Sequence, residues 1–431
     1  MSIGKAMNTA ASGLRAHGEA MGVTADNIAN ANTIGYKRSR SVFEDVLGQS
    51  IADTRGRGAM GSGSRLAAIE QVWTQGTLLT TESPTDLALS GDGFFVVEGN
   101  VDGVQGRFYT RAGQFKLDQD GYLVNAEGLR VVGYQADETG SVGTTLGPMQ
   151  LTGSAVPPQA TTQVDMALNL DADATVPPAW DPADPGGTSN FSTTVTVYDS
   201  LGNAHDVTVY FRKSGANSWE WHAMVDGGEI TGGAAGTPFE GASGTLTFTT
   251  DGALDTETVG ASSWDFVGAT PGQSIAFDFG TSITTDGGSG LDATTQFASP
   301  STTNGLSQDG YAAGSVSAVS VASDGTITGV FDNGQRRVLA RLAVADFTSV
   351  SGLSRAGHNL WVETEASGEA LVGTAGTGGR GSIVAGALEQ SNVDLSREFV
   401  DLISLQRGFQ ANSRVVTTSD EMLAELVNLK R

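Results

Sequence analysis

The sequence predicts a multidomain protein: mainly β outer domains inserted between N- and C-terminal α-helices that pair as a coiled coil. Three observations carry this. From Leu395, steps of four and three give Phe399, Leu402, Gln406, Phe409, Ser413, Val416, Asp420, Leu423 and Val427, apolar at seven of these ten positions, a heptad seam on one long helix. The first thirty residues repeat the spacing, with Ile3, Met7, Ala10, Leu14, His17, Met21, Thr24 and Ile28. The whole chain holds 59 glycines, 11 prolines and 39% apolar residues, and between these ends it falls into short strand-like runs separated by Asp-Gly pairs. That mixture suits a β-rich protein with tight turns. A chain of 431 residues is long enough for two or three domains.

The N-terminal stripe is thin. Much of it is alanine and methionine, and Gly4, Gly13, Gly18 and Gly22 lie inside it. Each helical glycine costs about 1 kcal/mol, so this helix is expected to be marginal alone and ordered only when neighbours cover it. The two ends look like two strands of one coiled coil; the same spacing also fits two helices packed on one monomeric domain. The helix is expected to end near Ala31 and Asn32, because Asn30, Asn32 and Gly35 accept the left-handed conformation of a helix C-terminus. A short amphipathic piece follows at 43–47, and the GRGAMGSG run at 56–63 reads as a flexible joint. At the far end Asp394 is placed as an N-cap and Glu398 falls in the first turn, where the helix dipole favours it.

From about 69 to 132 the pattern is β, with runs at 87–89, 94–97, 107–109, 115–117 and 122–124 and turns at Asp92-Gly93, Asp102-Gly103 and Asp120-Gly121. Residues 136–158 read as loop. A second β region spans about 161–303. There 194–198 and 207–211 flank the Asp199-Ser-Leu-Gly202 turn, and further strands fall at 219–224, 245–248 and 274–279. The stretch 176–187 contains Pro177, Pro178, Pro182 and Pro185, too many for a central strand, and reads as an exposed loop. Strand character returns at 316–321, 326–330, 338–344 and 360–362. The domains expected are therefore nested in an elongated particle: 1–35 with 392–431 as the terminal coiled coil, 36–68 as joint, 69–158 with 304–391 as an inner β domain, and 159–303 as an inserted outer β domain.

Composition and motifs argue against several functions. A net charge of -24 disfavours nucleic acid and anionic lipid, whose phosphates would be repelled. Without cysteine there are no disulfides, thiolate chemistry or cysteine–zinc sites. No basic and apolar leader opens the chain, and no apolar run approaches a membrane span. The protein is expected to be cytoplasmic, or exported by a route that leaves no cleaved signal. Gly56–Gly61 and Gly376–Gly381 both match G-x-G-x-x-G but lack the strand–helix context of a dinucleotide site. His17, His205, His222 and His358 show no metal spacing, and His17 reads as a packing residue. The Asp-Gly pairs fit turns better than calcium loops, and Trp219-Glu-Trp221 fits a strand better than a sugar platform. No G-x-S-x-G elbow or other catalytic constellation is present, so no enzyme activity, cofactor or metal is expected.

Three segments carry a resemblance. Asn27-Ile-Ala-Asn30-Ala-Asn32-Thr-Ile-Gly35-Tyr36-Lys37 closely resembles the N-terminal signature of bacterial flagellar rod and hook proteins. Tyr109-Thr-Arg-Ala-Gly113-Gln-Phe115 and Asp120-Gly121-Tyr-Leu-Val-Asn125 resemble the family's β-domain motif. Gly386-Ala-Leu-Glu389-Gln-Ser391-Asn392-Val-Asp394-Leu395, with Gln406-Arg-Gly-Phe409-Gln, resembles its C-terminal signature. The resemblance covers nearly the whole chain and is weak at about 227–305. Rod-type members are shorter and lack a large inserted β domain. The segment 195–206 inside the insertion instead resembles hook-type members. The resemblance implies a structural hook subunit that self-assembles into a flexible helical tube, transmitting torque from rod to filament. The alternatives are a distal rod subunit or a β-rich surface adhesin. It implies radial layers around a channel lined by the terminal helices, with Ile3, Met7, Leu14, Met21, Ile28 and the Leu395–Val427 series carrying assembly. The implied partners are other copies of the chain, the distal rod protein, the hook cap, the hook–filament junction protein and the flagellar type III export apparatus. No nucleic acid and no membrane insertion are implied, and the implied location is the extracellular hook and basal body. Phe43-x-x-x-Leu47 resembles the family's export-gate motif and equally fits a small packing anchor.

Overall fold

The computed structural model describes residues 3–47, 51–53, 56–58, 61–151 and 155–428; the side chains of 3, 47, 51–53, 56–58, 426 and 428 also lie outside the description. The chain divides into two compact units. One contains 1–153, 317–330 and 336–431; the other contains 154–316 and 331–335.

The first unit begins with a helix, Ile3–Ala29, and ends with another, Leu395–Asn428. The N-terminal helix stops slightly before the expected point. The Asn30 side chain folds back to donate to the Asp26 carbonyl at 2.9 Å and to its carboxylate at 3.0 Å, drawing the chain into a turn. Asp394 caps the second helix as expected, accepting from the Ser396 N–H at 2.9 Å and the Arg397 N–H at 3.3 Å. The amphipathic piece and the glycine-rich joint differ from expectation. Ser39–Leu47 is a strand that pairs antiparallel with Gly61–Gln71, from Ser39 opposite Gln71 to Leu47 opposite Gly61. Gly56–Gly58 is a strand as well, paired with Ile51–Asp53; residues 59 and 60 of the run lie outside the described residues. Small residues that read as flexible in isolation are held here by backbone pairing, which needs no side chain.

The rest of the first unit is built on one sheet with strands from both sides of the insertion. Phe94–Val101 forms a hairpin with Val104–Thr110 through the Asp102-Gly103 turn, where both residues have positive φ. Arg336–Asp346 pairs with both Arg130–Ala136 and Phe94–Val101, placing Val344 opposite Phe95. Packed on this sheet are Phe94, Tyr109, Phe347 and Trp361, with Trp73 edge-on to Phe94 at 5.3 Å. The region 136–158, expected as loop, contains the strand Val142–Pro148, paired with Arg130–Ala136. Its Gly-Thr-Thr-Leu-Gly-Pro sequence lacks apolar alternation because little of the strand is buried.

The second unit contains a five-stranded antiparallel meander: Phe191–Tyr198, Ala204–Gly215, Ser218–Asp226, Pro238–Phe248 and Leu254–Val259. A three-stranded sheet has Gln163–Asn169 at its centre, parallel to Ala276–Asp278 and antiparallel to Thr302–Gln308. Val207, Val209, Phe211, Trp219, Trp221 and Trp264 are buried in its core. The alternation along 205–211 and 219–225 puts Val207, Val209, Phe211, Trp219 and Trp221 on one face. Residues 176–187 form no strand, as their prolines require, and Trp180 from this loop stacks on His222 at 3.9 Å.

Candidate functional site

The two terminal helices lie side by side and run antiparallel. Gly13 sits against Asn412, His17 against Gly408, and Asn27 donates to Glu398 at 3.1 Å, so rising numbers on one helix meet falling numbers on the other. The buried stripe of the N-terminal helix is Ala10, Gly13, Ala16, Ala20, Thr24 and Asn27. All are small or polar. A Cβ on Gly408 would come within 2.9 Å of the His17 ring, so the two backbones approach closely there. The face the C-terminal helix turns inward carries Glu398, Leu402, Leu405, Asn412, Val416 and Ser419.

Its larger apolar residues point elsewhere. Phe399 is 49% exposed, Val400 65%, Ile403 49% and Phe409 38%. Leu395, Val415, Met422, Leu423 and Val427 are also exposed. A helix that turns Glu398 and Ser419 inward beside Leu402, Leu405 and Val416, yet still presents phenylalanine, valine and isoleucine outward, carries an apolar surface of the kind that a partner covers.

Beneath the helix pair the chain ends are tied by a buried polar network. The Lys37 ammonium, almost fully buried, donates to Glu389 Oε1 at 2.6 Å and to the Thr74 carbonyl at 2.9 Å. Glu389 also accepts from the Gly76 N–H at 2.9 Å and from Arg111 at 3.3 Å. Asn27 exchanges two hydrogen bonds with the Ser39 backbone, both 2.8 Å. Glu398 accepts from Asn27 and, at 2.9 Å, from Arg38. Asn392 accepts from the Arg38 N–H at 2.8 Å and donates to the carbonyls of Val72 at 2.8 Å and Thr74 at 3.0 Å. The Tyr36 hydroxyl donates to Asp26 at 3.0 Å. Burial lowers the pKa of Lys37, against the pull of Glu389. Burial raises that of Tyr36, and Asp26 adds to the rise. Gly35 makes the turn possible: its φ is +70°, and a Cβ there would come within 2.6 Å of the backbone at Arg111 and Ala112.

The three quoted motifs thus converge. Asn27, Gly35 and Tyr36 are buried in the junction, Asn30 is half-buried in its turn, and Asn32 is exposed. Met7, Leu14, Met21 and Ile28 are half-buried along the flanks of the small-residue stripe. Of the C-terminal series, Leu402 and Val416 are half-buried on the inward face, while Leu395, Phe399, Phe409, Leu423 and Val427 are exposed. Phe43 is exposed on its strand, its ring 5.8 Å from that of His17. The side chains of Ile3 and Leu47 lie outside the described residues. The ionic roles of Lys37, Arg111, Glu389 and Glu398 were not legible from spacing. Their one signal is charge of both signs inside otherwise small and polar motifs. Among the described residues, no group of three or more acidic or histidine side chains could hold a metal ion.

Family models match four segments. The flagella basal body rod protein model covers residues 7–37, and the flagellar hook protein FlgE/F/G D1 domain covers 88–175. The flagellar basal body protein FlaE D2 domain covers 169–311, and the flagellar basal body rod FlgEFG protein C-terminal model covers 384–429. The flagellar hook protein FlgE of Escherichia coli is 36% identical over 431 residues, covering 99% of this chain and 100% of that one. The FlgE of Borreliella burgdorferi is 34% identical over 446 residues and 99% of both chains. The crystal structure of Helicobacter pylori flagellar hook protein FlgE2 matches 72% of this chain and 99% of that one, at a TM-score of 0.47 and 16% identity.

Proposed function

Because the chain belongs to the flagellar hook protein FlgE family, we propose that it serves as a structural subunit of the bacterial flagellar hook, polymerising through its terminal helices into a flexible helical tube. The observation that carries the reading is the outward row of Phe399, Val400, Ile403 and Phe409 on a helix whose inward face already holds Leu402, Leu405 and Val416 beside Glu398, Asn412 and Ser419. Neighbouring copies would cover that row, pairing terminal helices as a coiled coil around a channel. A contact that repeats without closing extends into a tube. The same reading gives the subunit the distal rod protein, the hook cap and the hook–filament junction protein as neighbours. It gives export through the flagellar type III apparatus and an extracellular location, with Phe43 and Leu47 as candidate export contacts.

Electron microscopy of the full-length chain, beside a chain lacking residues 1–30 and 400–431, tests this. Curved tubes from the first and none from the second are expected. Straight tubes would mean a rod subunit, and a soluble monomer from both would sink the assembly reading. Phe399→Glu with Phe409→Glu is expected to abolish tubes while changing monomer stability by less than about 0.5 kcal/mol, since both side chains are exposed.

A further inference from the structure

The sequence holds two Asn-Gly pairs, Asn304-Gly305 and Asn333-Gly334, both in the second unit, and the fold treats them oppositely. At Asn333 the side chain is clamped. Its amide donates to the Ala312 carbonyl at 2.8 Å, and its oxygen accepts from the Gln335 N–H at 3.0 Å. The Gly334 N–H is engaged too, donating to the Phe331 carbonyl at 3.0 Å. Asn304 stands instead on Thr302–Gln308, an edge strand of the three-stranded sheet. The register there places Gly305 opposite Ala167 and Thr303 opposite Leu168, so Asn304 is the extra residue of a bulge. It is exposed, as is Gly305, and among the described residues its side chain has no hydrogen-bond partner.

We infer that Asn304 is a site of spontaneous covalent modification, for which the chain itself supplies the nucleophile and water is the co-reactant. The Gly305 backbone nitrogen, once its proton is lost, attacks Asn304 Cγ. The N–Cγ bond forms, the Cγ–Nδ2 bond breaks and ammonia leaves, closing a succinimide ring. Water then opens either C–N bond of the ring, giving aspartate or isoaspartate. Glycine is the residue type that lets this ring close, because no Cβ stands beside the attacking nitrogen and its backbone turns freely. The bulge supplies the slack, since the ladder is locally broken there. Either product adds one negative charge, and isoaspartate also adds one backbone atom. That atom falls inside the bulge, so the pairing on both sides of it is kept. The consequence for assembly rests on the hook-subunit reading above: copies in one tube would differ in charge at position 304 according to their age.

The test follows the full, unassembled chain by peptide mass mapping during incubation at neutral and at mildly alkaline pH. Methyl transfer by an isoaspartyl methyltransferase marks the isoaspartate formed. The same chain in concentrated urea supplies the two rates free of the fold. In the folded chain Asn304 is expected to convert at least ~10-fold faster than Asn333, whose two hydrogen bonds must first be given up. In urea the two rates should draw together. The rate at Asn304 should rise with pH, because the attacking nitrogen must lose its proton. Gly305→Ala is expected to slow it several-fold while leaving the sheet in place, since a Cβ there meets the Ala167 Cβ at 3.5 Å, an ordinary contact. Circular dichroism of the aged chain should match that of the fresh chain; loss of strand signal would mean that the bulge does not absorb the product. Asn304 as slow as Asn333 in the folded chain, with both converting in urea, would overturn the inference. So would a rate that Gly305→Ala leaves unchanged. A chain that forms no tubes but converts at Asn304 would sink the hook reading alone.

Discussion

In the junction beneath the terminal helices the buried groups are charged; in the second unit the core is aromatic and aliphatic, and most of the carboxylates lie outside it. Lys37, Arg111 and Glu389 meet in the first, with Lys37 and Glu389 separated by 352 positions in the chain. Trp219, Trp221 and Phe211 fill the second, on strands that follow one another directly. Charges gain strength out of water only if every one is matched, so the junction specifies which chain segments meet but gives up stability when one partner is lost. Aromatic burial is non-directional and survives small changes. The chain thus ties its distant ends with a selective contact and builds its insertion from local, tolerant ones.

The sharpest way to break the contrast is Glu389→Ala. It strands Lys37 and Arg111 and leaves the Gly76 N–H unpaired, at an expected cost of about 3–5 kcal/mol to the first unit. Near-ultraviolet circular dichroism should show the tryptophan core of the second unit intact; a single shared transition would mean that the units do not unfold independently. Leu246→Ala, at a fully buried position of the second unit, is expected to cost about 3 kcal/mol there and leave the junction unchanged. Denaturant titration followed by tryptophan fluorescence reads it.

Alkaline pH separates the regions by titration. Burial raises the pKa of Tyr36 and of Tyr109, with Asp26 and Glu363 adding to the respective rises. Their folded values lie above the unfolded value near 10, so the stability they contribute is complete below about pH 10 and is lost as pH climbs through the folded values. The first unit should therefore lose stability above that point as tyrosinate absorbance grows. Tyr109→Phe, which removes a 3.1 Å hydrogen bond to Glu363, should cost about 1 kcal/mol at neutral pH and lessen the alkaline loss. The smallest effect is one of sign. Gly18 and Gly22 have open space where a Cβ would go, so alanine there should stabilise the monomer by about 1 kcal/mol each. Gly35→Ala should destabilise it, because backbone stands in the way. Thermal unfolding of the three variants checks the order.

Much of the β architecture was legible because it is local. Val207, Val209 and Phe211 alternate and are buried on one side, and Asp102-Gly103 makes the hairpin turn that its types require. Val142–Pro148 and the 39–47/61–71 pair were not legible, since exposed or glycine-rich strands carry no alternation and are held mainly by backbone pairing. At the junction, Tyr36 and Gly35 stood out as residue types, but their hydrogen-bond partners Asp26 and the Glu389 carbonyl could not be read from spacing, because a hydrogen bond is short-ranged and indifferent to sequence separation.

What the sequence determined by itself is the presence of two long helices at the chain ends, a capped C-terminal helix and an acidic β-rich insertion. Each follows from periodicity, residue type or charge within a short window. The tertiary structure decided which face of each helix turns inward. Hydrophobicity singled out Leu395, Phe399 and Phe409, which stay exposed, along with Leu402 and Val416, which turn inward beside Gly13, Ala16, Ala20, Asn412 and Ser419. Close approach of two backbones is decided by the volume of side chains on both helices at once, a quantity that no single stretch of sequence contains.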